Sequence, residues 1–449
     1  MATQDIDRTH LPRRRWRIAW LLGIGVLVNY FDRVNLSVSH DSLITAFGIS
    51  NITFGYLSSA YNWTYAACQL PIGVLLDNFG VKRIGRIGIC LWSIASFGGA
   101  TAPNLGGLFG ARLLLGVGEA PTFPANAKAV GLWFPAQERS LGTAMFDSAA
   151  KFSSAIGVPV IGIALLLAGW RWSFALTGII SLAYFLYFWR VYKDPDDDPQ
   201  LSRMERDYIN ETVGIEKTAK NSEAWKPVDE ERTSLGRLLM RRKVLGLAIG
   251  FGSYNYVFYL LLTWLPTYLS FALHINLLRS FLYTSVPWIF ATITDLVVGG
   301  WLVDALVQRG WNANRVRRVI LVGGTAFGLG ILGAAHAHSA TRALIWISIS
   351  IGGVAAAAPV SWSLPSLIAS RNDVGKVGGI INFSGQLSGI SAPIITGYLV
   401  TAFRSYAWVF GVAAVYLAIG IAAYVFMLGK IEYVPDRRLD DPQHSASRS

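Results

Sequence analysis

The sequence is poor in charged side chains. Only 15% of its 449 residues are Asp, Glu, Lys or Arg, whereas 53% are hydrophobic, and the mean hydropathy is +0.42. A soluble protein carries roughly a quarter charged residues, so this chain lacks the polar side chains that a water-facing surface needs. At about 20 residues per membrane span, it can hold a dozen helices with short loops. The deficit excludes a soluble enzyme with a single membrane anchor.

Cysteine and histidine are scarce as well. The two cysteines, Cys68 and Cys90, lie inside apolar runs, so the sequence contains no disulfide framework and no metal-ligand spacing. The six histidines do not cluster, and the sequence shows no Ser-His-Asp constellation. We therefore expect no metal, no cofactor and no enzyme activity.

Twelve apolar segments recur along the chain. They cover roughly residues 17–38, 54–76, 84–102, 106–128, 141–168, 172–191, 244–271, 281–303, 316–337, 342–368, 377–402 and 406–428. We predict an N-terminal segment at 1–15, a six-helix bundle at 16–191, a linker at 192–243, a second six-helix bundle at 244–429 and a tail at 430–449. The predicted fold is an all-α membrane protein with twelve transmembrane helices in two pseudo-symmetric bundles.

The basic residues are unevenly placed. If the N-terminus is cytoplasmic, 31 of the 39 Lys and Arg lie on the cytoplasmic side, and the outer loops hold only 4. This asymmetry predicts a multi-pass protein of the inner (plasma) membrane with both termini in the cytoplasm. The net charge of +12 is then a topology signal, and we expect no nucleic-acid partner.

A short motif of glycine, aspartate and basic residues occurs twice. The first copy consists of Gly73, Asp77, Gly80, Lys82 and Arg83, and the second copy, 227 residues later, of Gly300, Asp304 and Arg309. Two equivalent halves of six helices are the plan of a transporter that rocks one half against the other around a midplane site.

The repeated motif resembles the loop signature of the major facilitator superfamily. Its small glycines let neighbouring helices approach closely. Its aspartate and basic residues can form a cytoplasmic latch that breaks on conformational change. We therefore predict that this gating loop, with its weaker second copy, controls access from the cytoplasm.

Eight ionisable residues lie within the apolar segments. Four are basic and four acidic: Arg33, Arg112, Lys128, Lys151, Asp32, Glu119, Asp147 and Asp295. A charge at mid-membrane costs about 2.5–3.5 kcal/mol on insertion scales and is a functional hypothesis by default.

The first and fourth segments carry the most informative of these charges. Asp32 and Arg33 are adjacent in the first segment, while Arg112 and Glu119 are seven residues apart in the fourth and share one helix face. Arginine offers a planar fork to a carboxylate, and a carboxylic acid shielded from water can carry a proton near neutral pH. These four residues predict either a site for an anion and a proton or a buried ion pair that joins two helices.

Longer motifs narrow the resemblance to the anion:cation symporter family, and to bacterial sugar-acid permeases of the galactonate, glucarate and hexuronate type. They are Y-x-D-R-x-N-L-S at residues 30–37, R-x(6)-E-A-P at 112–121, F-P-A-N-A-K at 123–128 and T-W-L-P-T-Y-L at 263–269. The resemblance covers nearly the whole chain and implies uptake of an organic anion driven by protons.

The resemblance also implies residue roles. Asp32 and Glu119 match the proton carriers, Arg33 matches the arginine that contacts the substrate carboxylate, and Arg112 matches one that interacts with the glutamate. The positions that match cavity-lining residues are Tyr30, Tyr65, Trp362 and Asn382.

Helix periodicity places further polar side chains together. Tyr65 shares a face with Tyr61, Asn382 shares one with Gln386, and Tyr259 is polar within the seventh segment. Such groups can bind the hydroxyls of a sugar acid, and the alternative for each is a hydrogen bond between helices.

Two charged residues depart from the family pattern. Lys151 follows the position where galactonate-type members carry a glutamine, and Asp295 replaces an expected small residue. Asp147 and Lys151 are four residues apart, so they can neutralise each other, or Lys151 can bind the substrate as a further cation.

The sequence thus predicts a monomeric, proton-coupled symporter that takes up a small carboxylate, a sugar acid such as an aldonate, aldarate or hexuronate, across the lipid bilayer. The first alternative is an aromatic or small dicarboxylic acid of the phthalate or tartrate type. A drug exporter is a weaker alternative, because the fifth segment lacks the extended Gly-Pro-Gly-Gly pattern of exporters.

Overall fold

The computed structural model describes residues 13–135, 138–209, 234–337, 339–369 and 373–431, and within these ranges helices are the only regular elements. Residues 210–233 of the predicted linker and most of the predicted terminal segments lie outside the described residues.

Six spans form the first half. They are α1 (Arg14–Val38), α2 and α3 (the two parts of Asn51–Thr101), α4 (Leu105–Glu119, continued by Thr122–Trp133), α5 (Arg139–Ala168) and α6 (Trp170–Val191). Gly80 separates α2 from α3 with φ 76° and ψ 168°, a left-handed conformation that glycine adopts without steric cost. A short helix, His40–Phe47, connects α1 to α2.

Six further spans form the second half. They are α7 (Arg242–Thr267 with a π-helical end, Tyr268–Ala272), α8 (Leu277–Thr294, a π-helical stretch Asp295–Leu302, and Val303–Gln308), α9 (Ala313–Gly328 and Ile331–Ala335), α10 (Ala340–Ser363), α11 (Val374–Phe403) and α12 (Tyr406–Ala422 with Ala423–Leu428). The predicted all-α fold with two six-helix bundles is confirmed.

Seven of the spans are apolar enough to cross a membrane by length and composition alone, namely α5 to α10 and α12. The others, α1 to α4 and α11, carry more polar residues. Charged and polar side chains within a membrane avoid lipid and turn towards the protein interior. The less apolar spans are therefore the ones expected to build an interior site.

The two halves meet along pairs of helices that the repeat relates to each other. Helix α2 packs against α11, α5 packs against α8, and α1 packs against α7. The duplication relates α2 to α8 and α5 to α11, so it converts the first pair into the second. This is the pseudo-symmetry expected for a duplicated bundle.

We call the end of the bundle where α1 begins and α12 ends the terminal face, and the other end the opposite face. At the opposite face the halves touch: Ser37 Oγ donates to the Thr263 carbonyl at 2.5 Å, and Asn62 Nδ2 donates to the Gly389 carbonyl at 3.1 Å. At the terminal face, a Cβ on Gly73 of α2 or Gly375 of α11 would meet no atom within 4 Å. The halves therefore touch at the opposite face, whereas these two positions near the terminal face have no packing partner among the described residues.

The segment after α6 is tied to the start of α1. Arg14 binds Asp198 at 2.8 Å, and Arg15 binds Glu205 at 3.0 Å and Glu138 at 2.7 Å. These buried ion pairs hold the beginning of the linker against the first half.

Candidate functional site

A cavity lies between the halves, directly inside the closed opposite face. Both arginines of the predicted site border it. Its lining residues are Arg33, Leu36, Ser37, Ser58, Tyr61, Asn62 and Arg112 from the first half and Tyr259, Leu262 and Thr263 from α7. A compartment shared by the two halves is the place where a rocking motion changes access.

Arg33 is held between two aromatic rings. Its guanidinium lies 4.3 Å from the ring centre of Tyr30 and 4.6 Å from that of Tyr61. Its Nε donates to Glu119 Oε2 at 3.1 Å, whereas its buried Nη2 has no hydrogen-bond partner among the described residues. Arg33 is thus fixed in place with one N–H group left to bind a further acceptor.

Arg112 reaches the same cavity from α4. Its Nη1 donates to the backbone carbonyl of Asp32 at 3.2 Å. Its Nε is buried, and no described residue accepts a hydrogen bond from it. The resemblance implied an interaction between Arg112 and Glu119, but the hydrogen bond to Glu119 comes from Arg33.

Glu119 is completely buried at the end of a helical segment. Close packing of neighbouring helices holds Glu119 in this buried position. A Cβ on Gly116 would collide with the carbonyl oxygen of Tyr61, and one on Gly118 would lie 2.6 Å from the backbone nitrogen of Trp92. Only Oε2 is bonded, since Oε1 has no partner within the described ranges. The carboxyl group can therefore gain or lose a proton at an oxygen that no other group occupies.

Asp32 points away from the cavity, into the first half. Ser96 Oγ of α3 donates to its Oδ1 at 2.7 Å, and Ser181 Oγ of α6 donates to its Oδ2 at 3.1 Å. Its carboxylate therefore meets two serines of the first half, whereas Arg112 reaches only its backbone carbonyl. Serines within apolar helices form no pattern, so these two partners could not be predicted from the sequence.

Polar side chains continue the cavity towards the terminal face. Asn382 Nδ2 donates to Gln69 Oε1 at 3.1 Å across the two halves, and Tyr259 Oη donates to Gln386 Oε1 at 3.5 Å. Tyr65 is buried, with its ring centre 5.5 Å from the guanidinium of Arg33. Of the predicted lining positions, Tyr30, Tyr65, Tyr259 and Asn382 thus surround or extend the arginine site.

Trp362 lies apart from this group. It is 43% exposed and packs edge-on against Phe251 at a centroid distance of 5.2 Å. It is not among the residues that line the cavity between the halves.

Lys151 is bound by two carboxylates. Its Nζ lies 2.8 Å from Asp147 Oδ2, within the same helix, and 3.4 Å from Asp295 Oδ1 of α8. The sequence predicted the first contact from the four-residue spacing, but it could not predict the second, which joins the two halves. Lys151 is therefore neutralised rather than presented as a free cation.

The gating loop lies at the terminal face. Lys82 Nζ contacts Asp197 Oδ2 at 3.2 Å, and Arg83, Asp304 and Arg309 are exposed. The side chain of Asp77 lies outside the described residues. Asp194 carries the carboxyl group nearest to Gly80 of this loop. Burial raises the pKa of Asp194.

Four cavity residues escaped the sequence analysis as binding candidates. They are Ser37, Ser58, Asn62 and Thr263. Asn62 is an amide in an otherwise apolar and aromatic stretch, a signal that could have marked it. The others are small hydroxyl residues, which are common in membrane helices and carry no such signal.

Comparison with known proteins identifies the family. Residues 22–393 match the Major Facilitator Superfamily. An uncharacterized transporter, YybO, of Bacillus subtilis is 37% identical over 94% of this chain and 95% of its own, and a D-galactonate transporter of Escherichia coli O6:H1 is 30% identical over 94% and 97%.

Solved structures agree on the fold. A bacterial homolog of the human lysosomal transporter Spinster, in an inward-facing and unoccupied conformation, superposes with a TM-score of 0.74 at 15% identity, over 95% of this chain and 100% of its own. The inward-open xylose transporter XylE from E. coli gives 0.72 at 16% identity, over 96% and 99%. The chain therefore belongs to the Major Facilitator Superfamily, as a multi-pass membrane transporter and not an enzyme.

Proposed function

We propose that the protein is a proton-coupled symporter that takes up a sugar acid (an aldonate, aldarate or hexuronate) by alternating access. The observation that carries this proposal is the shared cavity of Arg33 and Arg112, each with an unbonded N–H group among the described residues. Buried donors without a partner are costly, so a ligand that brings acceptors is favoured. A carboxylate fits the planar guanidinium group.

Charge balance links the anion to a proton. Arg33 and Arg112 are balanced by Asp32 and Glu119 when all four are ionised. Protonation of Glu119 breaks the charge pairing with Arg33 and leaves one net positive charge, which a bound carboxylate neutralises. Anion and proton thus favour each other's binding, which is the reciprocal coupling that symport requires.

The cycle follows from the two faces. With the opposite face open, Glu119 takes up a proton and a carboxylate binds the arginines; a proton on Asp32 as well balances a second carboxylate of the same substrate. The neutral, loaded site lowers the cost of closure, and the halves rock to the inward-open state. Protons and anion then leave, and Arg33 returns to Glu119. We place both termini and the gating loop in the cytoplasm, because the basic residues cluster at that side.

The substrate class rests on two supports. Relatives with 27–30% identity carry the names of D-galactonate, galactarate/D-glucarate and L-galactonate transporters. Tyr65, Tyr259 and Asn382 supply hydroxyl and amide groups beside the arginines, as the hydroxyls of a sugar acid require. A small dicarboxylic acid gains no support from Lys151, because two aspartates already neutralise it.

Purified protein in liposomes tests the proposal. An inward proton gradient is expected to drive accumulation of one or more sugar acids, while phthalate and tartrate accumulate no more than in empty liposomes. A thermal-shift panel with the same acids identifies the best ligand beforehand. Accumulation of aromatic acids alone, or uptake of sugar acids that ignores the proton gradient, would contradict the proposal.

A further inference from the structure

A second ionic cluster lies between the halves, away from the two arginines. It consists of Asp147 and Lys151 on α5 and Asp295 on α8, and we call it the Lys151 cluster. Lys151 and Asp295 are 4% and 3% exposed, so this part of the cluster is shielded from water. Asp147 is different, since 25% of its side chain is accessible.

The two carboxylates compete unequally for one ammonium group. Asp147 receives a hydrogen bond from Lys151 at 2.8 Å. Asp295 Oδ1 is 3.4 Å from the same nitrogen, in ion-pair range, but it accepts no hydrogen bond from any described residue. Asp147 therefore has both the shorter contact with Lys151 and the greater access to water.

No further positive group compensates Asp295 among the described neighbours. The hydroxyls of Tyr254 on α7 and Tyr30 on α1 face the cluster, and neither supplies a positive charge. On α10, Ala356 and Pro359 lie against the π-helical stretch of α8, because a Cβ added to Gly299 of that stretch would touch both of them. Fully ionised, the cluster would hold one positive and two negative charges in an apolar interior.

A buried net charge is costly unless it is paired or neutralised. A proton on one carboxylate makes the cluster neutral, and the water-exposed, well-bonded Asp147 is the cheaper one to keep charged. We propose that Asp295 binds a proton in this state, with the opposite face closed, as a proton site separate from Glu119 and outside the residues that line the anion cavity.

The proton also sets the charge of a contact between the halves. Lys151 and Asp295 belong to different halves, so protonation of Asp295 removes the ionic attraction between them and deprotonation restores it.

Infrared spectroscopy of the full chain in lipid nanodiscs, without substrate, tests the proton directly. Wild-type protein at neutral pH is expected to show a carboxylic-acid band that is absent from Asp295→Asn and displaced in Asp295→Glu. The matched variant Asp147→Glu, which keeps both carboxyl groups of the cluster, is expected to leave the band in place. A spectrum unchanged by Asp295→Asn, or a band displaced by Asp147→Glu and not by Asp295→Glu, would overturn the proposal. The infrared readout requires no uptake of a sugar acid, so its failure and the failure of the proposed function are distinguishable.

Discussion

At the scale of single residues, Arg33 combines three interactions that depend on its shape. It lies between the rings of Tyr30 and Tyr61, bonds Glu119 at 3.1 Å and retains a free N–H among the described residues. A lysine ammonium carries the same charge but lacks the planar face and the fork. Arginine is thus required by geometry as well as by charge.

The variant Arg33→Lys is expected to weaken substrate binding by about 10-fold or more, since hydrogen bonds to charged groups contribute about 1.5–3 kcal/mol. Calorimetric Kd values for the best sugar acid measure the effect. Arg17→Lys, an exposed position on the same helix, is the control and is expected to bind like wild type. Equal affinity of Arg33→Lys and Arg17→Lys would contradict the role of Arg33.

A second residue-scale prediction concerns Asp41, in the short helix outside the spans. His40 Nδ1 lies 2.6 Å from Asp41 Oδ1, and this hydrogen bond lowers the pKa of Asp41. A carboxylate with a lowered pKa adds stability above the ordinary pKa of aspartate, about 3.9, and loses it as the pH falls through the lowered value.

The variant Asp41→Asn is therefore expected to reduce Tm at pH 6 and to approach wild type as the pH falls below about 4. Thermal unfolding across this pH range measures the difference. Asp196→Asn, an exposed aspartate in the segment after α6, serves as the control. A Tm deficit that persists unchanged in acid would show that the ionised carboxylate is not its source.

At the scale of helices, glycines let the two halves touch at the opposite face. A Cβ on Gly55 of α2 would lie 2.6 Å from the Pro393 carbonyl oxygen, and one on Gly397 of α11 would lie 2.5 Å from the Asn51 carbonyl oxygen. Both obstacles are backbone atoms, which cannot rotate aside. This interface therefore closes only with glycine at these positions.

We expect Gly55→Ala to shift the equilibrium away from the state with the opposite face closed, because overpacking typically costs about 1–3 kcal/mol. Spin labels on cysteines at Thr45 and Ala402, exposed residues of the two halves at this face, report closure as a short distance. This pair is expected to lose about 10-fold or more of its short-distance population relative to the open one. Gly411→Ala on α12, where a Cβ meets no atom within 4 Å, is the control. An unchanged distance distribution in Gly55→Ala would refute the closed interface.

The sequence predicted the twelve spans because each requires a long apolar run, a strong and local signal. It did not predict the break of α4 after Glu119 or the π-helical stretch that begins at Asp295. These depend on packing against other helices. For the same reason, the contact of Lys151 with Asp147 could be predicted from spacing, whereas its contact with Asp295 could not.

At the scale of the whole molecule, the structure represents one side of a cycle. Contacts join the halves at the opposite face, and Gly73 and Gly375 near the terminal face have no packing partner within the described ranges. The sequence predicted two related halves from a repeat of three residues, but it could not predict which state is populated. Two packings of one chain differ by only a few kcal/mol, a difference that no local pattern reveals.

The central claim is that Glu119 couples the proton to the anion through Arg33. Glu119→Gln keeps the size of the side chain but removes the charge that pairs with Arg33. In liposomes, this variant is expected to exchange internal for external sugar acid at near wild-type rates while losing accumulation driven by an imposed pH gradient. Undiminished pH-driven accumulation by Glu119→Gln would contradict the account.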